Sequence, residues 1–202
     1  MSFKKNKYIV IKNAINKDLA LFIYNYFLMK RQVARTLFDT KYISPFETMF
    51  GGWNDAQVPN TYSHYADIVM ETLLLKVQPI MEKETKLKLN PNYSYARIYK
   101  KGDVLKRHRD RFSCEISTTL NLGGDPWPIY LESKNKTGIK INLKPGDMLV
   151  YKGSLLEHWR EEFQGEDCCQ VFLHYNDIKT SGSQENIYDK RIHLGLPSYF
   201  KR

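Results

Sequence analysis

Apolar and polar positions follow two different rhythms along this chain, and the change falls near residue 90. Residues 7–12, KYIVIK, read as a short strand. Asn16 is placed to cap a following helix in which Leu19, Ile23, Tyr26 and Phe27 fall on one stripe, because residues three and four apart share a helix face. From about 37 to 63 the periodicity disappears. That segment is rich in aromatic and turn residues, including Gly51, Gly52, Trp53, Asn54, Asp55, Pro59 and Asn60, and reads as a long loop suited to act as a lid. Three-and-four spacing returns with Ala66, Val69, Met70, Leu73, Leu74, Val77 and Met81. It predicts a second amphipathic helix over 65–83 that Pro79 should kink or end, with a scaffold role.

Beyond Asn90 and Pro91 the rhythm becomes that of strands. YSYARIY alternates, and EISTTLNL, PIYLES, GIKINL, DMLVYKG and CCQVFLHY follow as short runs separated by Gly, Pro, Asp and Asn. This half reads as a β-sandwich or barrel. With no repeat, low-complexity tract or linker, the helices are expected to buttress one β-core within a single domain spanning 1–202. Residues 1–90 supply the supporting strand, helices and lid-like loop, 91–176 the core, and 177–202 a tail whose form the pattern leaves open.

Composition narrows the class. The chain has 202 residues, 42% hydrophobic and 26% charged, which excludes wholesale disorder, collagen and coiled coil. Its 31 Lys and Arg against 22 Asp and Glu leave a net charge of +9, which favours an anionic partner. The surplus is spread along the chain, with no basic cluster interleaved with aromatics, so nucleic acid is not favoured as a partner; the lysine-rich start is the one place suited to phosphates. No apolar run is long enough for a membrane span, and the basic start MSFKKNKYIVIKN lacks the apolar core of a signal peptide, so a cytoplasmic protein is expected. Cys114, Cys168 and Cys169 form no CxxC pattern, and neighbours in sequence are poorly placed to bridge. Neither a disulfide framework nor a zinc knuckle is indicated.

The sharpest constellation is His108, Arg109, Asp110, joined fifty residues later by His158 on another predicted strand. On an extended segment residues two apart face the same way, so His108 and Asp110 can converge on one ion, whereas on a helix they would diverge. Two imidazoles and one carboxylate on one face of an octahedron leave three positions open, the arrangement of non-heme Fe(II). An HxD alone is common by chance, and the competing reading pairs Asp110 with Arg109 or Arg111 on a surface strand. Context favours the metal. Tyr99, Gly102, His108 and Asp110 spell YxxGxxxxxHxD, the turn Pro145-Gly146-Asp147 precedes the strand MLVY, and His158 lies eleven residues after Asp147.

This order resembles the Fe(II)/2-oxoglutarate-dependent oxygenases, especially their prolyl 4-hydroxylase-like branch. The resemblance covers about residues 93–176, and the first ninety residues match no motif. It implies an α+β fold, mainly β, whose core is a double-stranded β-helix: a jelly-roll, cupin-like barrel buttressed by N-terminal helices. It implies that His108, Asp110 and His158 are the metal ligands and catalytic centre, and that Tyr99 donates a hydrogen bond to 2-oxoglutarate; the competing reading of Tyr99 is a core tyrosine. In one respect the chain departs from the pattern. Family members place an Arg or Lys about ten residues beyond the second His, where this chain reads Asp167, Cys168, Cys169, Gln170. A buried dicarboxylate still needs a cation, best a guanidinium.

Arg160 is the first candidate for that cation, two residues past His158 on the same strand face. Arg97 is the second, because it alternates with Tyr99. A surface salt bridge is the competing reading for each. Arg111 is placed to meet an anionic group of the substrate at the barrel mouth. Trp127, Pro128, Ile129 and Tyr130, after the turn Gly123-Gly124-Asp125, either frame a substrate with their rings or belong to the core. His64, His174 and His193 have no partner at metal-ligand spacing and are expected to be structural or exposed.

The resemblance implies a dioxygenase (hydroxylase) that consumes dioxygen and 2-oxoglutarate, releases succinate and carbon dioxide, and has ascorbate as a further candidate cofactor. The substrate class favoured is a peptide or protein, an amino acid side chain, or another small molecule. The alternatives are a nucleobase, as in AlkB-type members of the superfamily, and a non-catalytic jelly-roll protein that binds a metal or ligand. A basic nucleic-acid-binding protein without enzymatic activity fits the HxD and His158 least.

Overall fold

The computed structural model describes residues 2–132 and 137–202; Met1 and Ser133, the ends of two of the sequence runs above, lie outside the described residues. In chain order the elements are α1 (Phe3–Asn6), β1 (Tyr8–Ile11), α2 (Lys17–Asp39), β2 (Tyr62–Tyr65), α3 (Ile68–Thr85), β3 (Leu89–Lys100), β4 (Leu105–His108), β5 (Ile116–Gly124), β6 (Ile129–Leu131), β7 (Ile139–Ile141), β8 (Met148–Lys152), β9 (His158–Arg160) and β10 (Asp167–Asp177). Short 3-10 turns lie at Phe112–Cys114 and Ile187–Lys190.

Local chemistry sets where the helices begin. Asn16 accepts the Leu19 amide at 2.8 Å and starts α2 as its sequence position predicts. Asp67 accepts the Val69 and Met70 amides at 2.9 and 3.1 Å and starts α3. That helix begins three residues later than its apolar spacing suggests, because Tyr65 belongs to β2 and Ala66 turns the chain with a positive φ of 61°. Pro79 neither ends α3 nor shortens it: the helix continues to Thr85. The carbonyl that Pro79 leaves without an amide belongs to Leu75, and both residues lie on the exposed face, where water can take the bond. The irregular segment is shorter than expected at both ends, since α2 runs to Asp39 and Tyr62–Tyr65 pair with β3. YSHY carries no alternation of its own, so this edge strand exists by virtue of its neighbour.

All strand pairs are antiparallel, in a six-stranded sheet of order β1-β8-β5-β10-β3-β2 and a four-stranded sheet of order β4-β9-β6-β7. From β3 onward the chain crosses between the sheets at every step except the β6–β7 hairpin. The outer face of the large sheet, including Ala96, Ile98, Leu120, Val150, Val171 and Leu173, packs beneath Ile23 and Phe27 of α2 and Met70, Leu74, Val77 and Met81 of α3. Its inner face meets the small sheet in two further clusters, one around Tyr99, Leu105, Trp127 and Phe172, the other around Ile129, Leu131, Leu149 and Tyr151. Both faces of β5 and β10 are therefore buried, the polar Ser117, Thr118, Thr119 and Asn121 of β5 and Gln170 and His174 of β10 included. The fold is a β-rich α+β architecture of two packed sheets. Among the described strands no hydrogen-bonded ladder closes them into one barrel.

The tail from 177 onward is held by buried charge. Arg191, fully buried, donates to Glu71 Oε1 of α3 at 2.7 Å, to the Asn92 carbonyl at 3.0 Å and to the Leu196 carbonyl at 2.6 Å. Asp189 accepts two hydrogen bonds from Arg111 at 2.9 and 3.0 Å and one from the Tyr65 hydroxyl at 2.9 Å. Removing one partner of the Arg191–Glu71 pair strands a charge inside the protein. Glu71→Ala should therefore cost about 3–5 kcal/mol in denaturant unfolding. Lys88→Ala, which breaks an exposed pair with Glu82, should cost about 1 kcal/mol or less.

Candidate functional site

β4 ends and β9 begins at the same level, with His108 opposite His158 in the ladder, so their rings stand side by side with centroids 4.2 Å apart. Two residues on, the Asp110 amide donates to the Gly153 carbonyl at 3.0 Å and turns the carboxylate back toward both rings. Asp110 Oδ1 lies 3.7 Å from His108 Nε2 and 3.5 Å from His158 Nε2. Each imidazole has its other nitrogen occupied: His108 Nδ1 is 2.7 Å from the Lys106 carbonyl and His158 Nδ1 is 3.1 Å from the Leu156 carbonyl. With Nδ1–H donating, both Nε2 lone pairs are left toward the carboxylate. The approach depends on Gly153, where a Cβ would stand 2.2 Å from Asp110 Oδ2 and 2.6 Å from the Cys114 carbonyl.

The surface reading of Asp110 does not occur, because Arg109 pairs with Glu132 at 3.6 Å and Arg111 with Asp189. Burial pushes the Asp110 carboxyl up, but adjacent His158, the charge of His174 and the hydrogen bond from Ser117 outweigh it and bring the pKa down to about 2. Burial and the neighbouring His158 pull the His108 pKa below its ordinary value, which keeps the ring neutral and able to ligate. Ser117 Oγ lies 2.6 Å from Asp110 Oδ2 and 3.0 Å from His174 Nδ1, so the hydroxyl donates to the carboxylate and accepts from the imidazole.

His174 is thus buried and hydrogen-bonded, as the structural reading of it expects, and it stands beside this cluster. It lines the same cavity, and Asp110, Cys114 and His174 form a second set of atoms close enough to share an ion. Metal-ligand spacing along the chain does not reveal it. Strand phase does: on β10 His174 shares a face with Cys168, Gln170 and Phe172. His64 is buried beside Asp67, with Nδ1 3.3 Å from Oδ2, and His193 is exposed; neither approaches the cluster.

The three predicted ligands open on a cavity of about 320 Å³ between the sheets. Tyr93, Tyr95, Arg97 and Tyr99 of β3 line one wall, Tyr151 of β8 and Phe172 another, and Asp55 and Gln57 reach in from the irregular segment. Tyr99 is fully buried and its hydroxyl accepts from Arg97 Nη1 at 3.1 Å. Arg97 is not at the surface but pairs inside with Asp55, which sequence reasoning did not single out as a site residue. Burial raises the Asp55 carboxyl, but the Arg97 guanidinium together with the hydrogen bonds from the Tyr95 hydroxyl and the Gln57 backbone N–H outweigh it and hold the pKa below its ordinary value. Arg111 does not present a free cation to the mouth, since Asp189 occupies it in a bidentate pair. Trp127 is core, packed on Tyr99 and Phe163, and Tyr130 stacks on Trp159 away from the cavity lining.

Arg160 is fully buried, as its phase on β9 predicts. It donates to the Trp127 carbonyl and, at 3.3 Å, to Thr119 Oγ1, while its Nε has no partner. Among the described residues no carboxylate pairs with it. Burial pulls its pKa below the ordinary value, and only Cys168, Tyr99 and Tyr151 oppose that. Tyr99 and Tyr151 also line the cavity. The donor set of two imidazole Nε2 atoms and a carboxylate fits a divalent transition metal, and the uncompensated guanidinium fits an anion.

No family model and no curated protein matches the sequence. Solved structures match the fold. The chain is similar to a prolyl-4-hydroxylase from Pseudomonas putida, with 12% identity and a TM-score of 0.59 over 87% of this chain and 95% of that one. It is similar to the viral collagen prolyl hydroxylase of Paramecium Bursaria Chlorella virus-1 in its 2-oxoglutarate complex, with 12% identity and a TM-score of 0.59 over 87% and 98% of the two chains. HygX from Streptomyces hygroscopicus, with nickel, 2-oxoglutarate and hygromycin B bound, matches at 13% identity and a TM-score of 0.57 over 88% and 85%. The structural neighbours are thus prolyl-4-hydroxylases and other 2-oxoglutarate oxygenases, and the likeness is one of fold.

Two expectations follow from the cluster. Ser117→Ala removes the hydrogen bond that orients Asp110 and should weaken Co(II) or Fe(II) binding by about tenfold or more, read by competition with a chelating dye. Burial lowers the His174 pKa to about 4, so between its ordinary value and 4 the unfolded chain takes up a proton that the native chain does not. Stability should be at its full value above about pH 6.5 and fall as pH drops toward 4, by about 3 kcal/mol. Urea unfolding of the chelator-treated protein at pH 7.5 and pH 5 measures this, and His174→Gln should flatten the slope.

Proposed function

We propose that this chain is a non-heme Fe(II)- and 2-oxoglutarate-dependent dioxygenase that hydroxylates a peptide, an amino acid or a related small molecule. The observation that carries this reading is the pairing of two features between the sheets: a His-Asp-His cluster in which both Nδ1 atoms are held by backbone carbonyls, and a buried guanidinium with no carboxylate partner among the described residues. In this reading β3 to β10 are the double-stranded β-helix, residues 91–176 its core, and 1–90 and 177–202 its supports within one domain.

His108, Asp110 and His158 would hold the iron. Bound there with 2-oxoglutarate, the metal supplies oxidation of a C–H bond to an alcohol by dioxygen, with succinate and carbon dioxide as co-products. The chain's own groups position and shield. Ser117 and the Gly153 carbonyl fix the direction of Asp110, and the Lys106 and Leu156 carbonyls fix the tautomer of each histidine.

Arg160 would take the distal carboxylate of 2-oxoglutarate. A guanidinium held out of water at a desolvation cost is stabilised when an anion joins it, and its forked donors suit a carboxylate. Cys168, at the place where the resemblance leads one to expect a cation, is a buried thiol on the inner face of β10. The cation that β10 lacks is thus supplied by the neighbouring strand. Tyr99 supports the same end, because its hydroxyl accepts from Arg97 and so keeps its own proton free to donate.

Anaerobic titration of the protein with Fe(II) and then 2-oxoglutarate tests the proposal without a substrate. A weak visible charge-transfer band should appear and be lost in His158→Ala. Arg160→Gln should raise the 2-oxoglutarate concentration needed for the band at least tenfold more than Arg97→Gln does. Iron binding without the band would overturn the oxygenase reading, and equal or reversed effects of the two arginine variants would overturn the role of Arg160.

A further inference from the structure

Arg97 is the second buried cation of the inter-sheet space, and the assignment of Arg160 to 2-oxoglutarate leaves it without a task. Its Nη1 donates to Tyr99, its Nη2 to Asp55 Oδ2 and, at 3.2 Å, to Gln57 Oε1, and its Nε has no partner. Both acceptors on Nη2 come from the segment between α2 and β2, which contains no helix or extended strand. The Tyr95 hydroxyl also donates to Asp55 Oδ2. The negative charge that compensates Arg97 is therefore lent by a loop carboxylate from 42 residues away, on a side chain that keeps 18% of its surface in solvent.

The same loop reaches the metal-binding cluster. Gln57 Nε2 sits 3.1 Å from His108 Nε2, and with its Oε1 turned toward Arg97 the amide must donate to that imidazole nitrogen. A nitrogen that accepts this hydrogen bond has its lone pair engaged and cannot give it to an ion. Gln57 must therefore withdraw when His108 serves as a ligand. Asp55 belongs to the same turn, because its Oδ1 accepts the backbone N–H of Gln57 at 2.7 Å, so a movement of this stretch of loop carries both side chains. Withdrawal of the loop would leave Arg97 buried and uncompensated in the cavity wall, a cation in need of another carboxylate.

We propose that Arg97 is the carboxylate-binding subsite for the substrate, that the substrate is a small carboxylic acid, free amino acids included, and that Asp55 and Gln57 occupy its place until it arrives. The inference rests on the oxygenase reading and on Arg160 as the cosubstrate's partner. It narrows the substrate class, since a nucleobase offers no carboxylate to this site.

The test uses the full chain carrying Asp55→Ala, with acetate as the probe and acetamide as its uncharged counterpart. Asp55→Ala should lower Tm, acetate should restore it saturably, and acetamide should not. On the same background Arg97→Gln should weaken the apparent acetate affinity at least tenfold. Should Asp55→Ala not fold, Asp55→Asn keeps the shape and removes the charge, and the same acetate dependence is expected there. Equal rescue by acetamide, or rescue that survives Arg97→Gln, would overturn the proposal. A second readout separates substrate from cosubstrate. In the Fe(II)–2-oxoglutarate complex of the Asp55 variant, acetate should shift the visible band and leave its amplitude intact. If acetate instead abolishes the band in competition with 2-oxoglutarate, Arg97 belongs to the cosubstrate and the proposal falls. If the band never forms in the unaltered protein, the oxygenase reading fails on its own, while the melting experiment still reports whether Arg97 binds a carboxylate.

Discussion

A charge withdrawn from water between two packed sheets must meet its opposite there, and most of what is specific to this molecule follows from how its buried charges are met. Asp110 is met by a serine hydroxyl, Arg97 by a carboxylate on a loop, and Arg191 by Glu71 beneath the tail. Arg160 is met by no carboxylate among the described residues. The pairs that involve the tail are closed within the protein and serve the fold. The groups around the cavity are closed only in part, or through a loop, and those are where chemistry can enter.

The architecture makes such burial possible by giving the two faces of the large sheet different partners. One face lies under α2 and α3 and is mainly apolar, and the other faces the small sheet and carries the site. β10 displays the division within one strand: Cys169, Val171 and Leu173 turn to the helices, while Cys168, Gln170, Phe172 and His174 turn inward. The strands of the small sheet place their polar groups to match. β4 and β9 are only four and three residues long, yet their register alone sets His108 against His158 and turns Arg160 inward.

Much of the site was legible because strand geometry is local. The two-residue repeat brings His108 and Asp110 to one side and sends Arg160 the same way as His158, so the donor set and the buried arginine follow from spacing. His174 is legible by the same rule, from its phase on β10, although it has no partner at metal-ligand spacing along the chain. Asp55 and Gln57 were not legible. They lie in a stretch without periodicity, and their meaning comes wholly from what the loop touches. Arg111 illustrates the opposite error: its place beside the HxD suggests a substrate contact, but a carboxylate in the tail, 78 positions on, claims it.

By itself the sequence determined the elements whose causes lie within a turn or a strand. These are the Asn16 cap, the apolar stripe of α3, the alternation of β3, and the HxD with its distant histidine. Only the tertiary structure decided which strands share an edge, that Tyr62–Tyr65 is a strand, that α3 passes through Pro79, and which buried charges have partners. The physical reason is range. Periodicity and capping act over a few residues and can be read from them, whereas pairing across a sheet and compensation of a buried charge join residues far apart in the chain. Their energies exist only once water has been excluded between them.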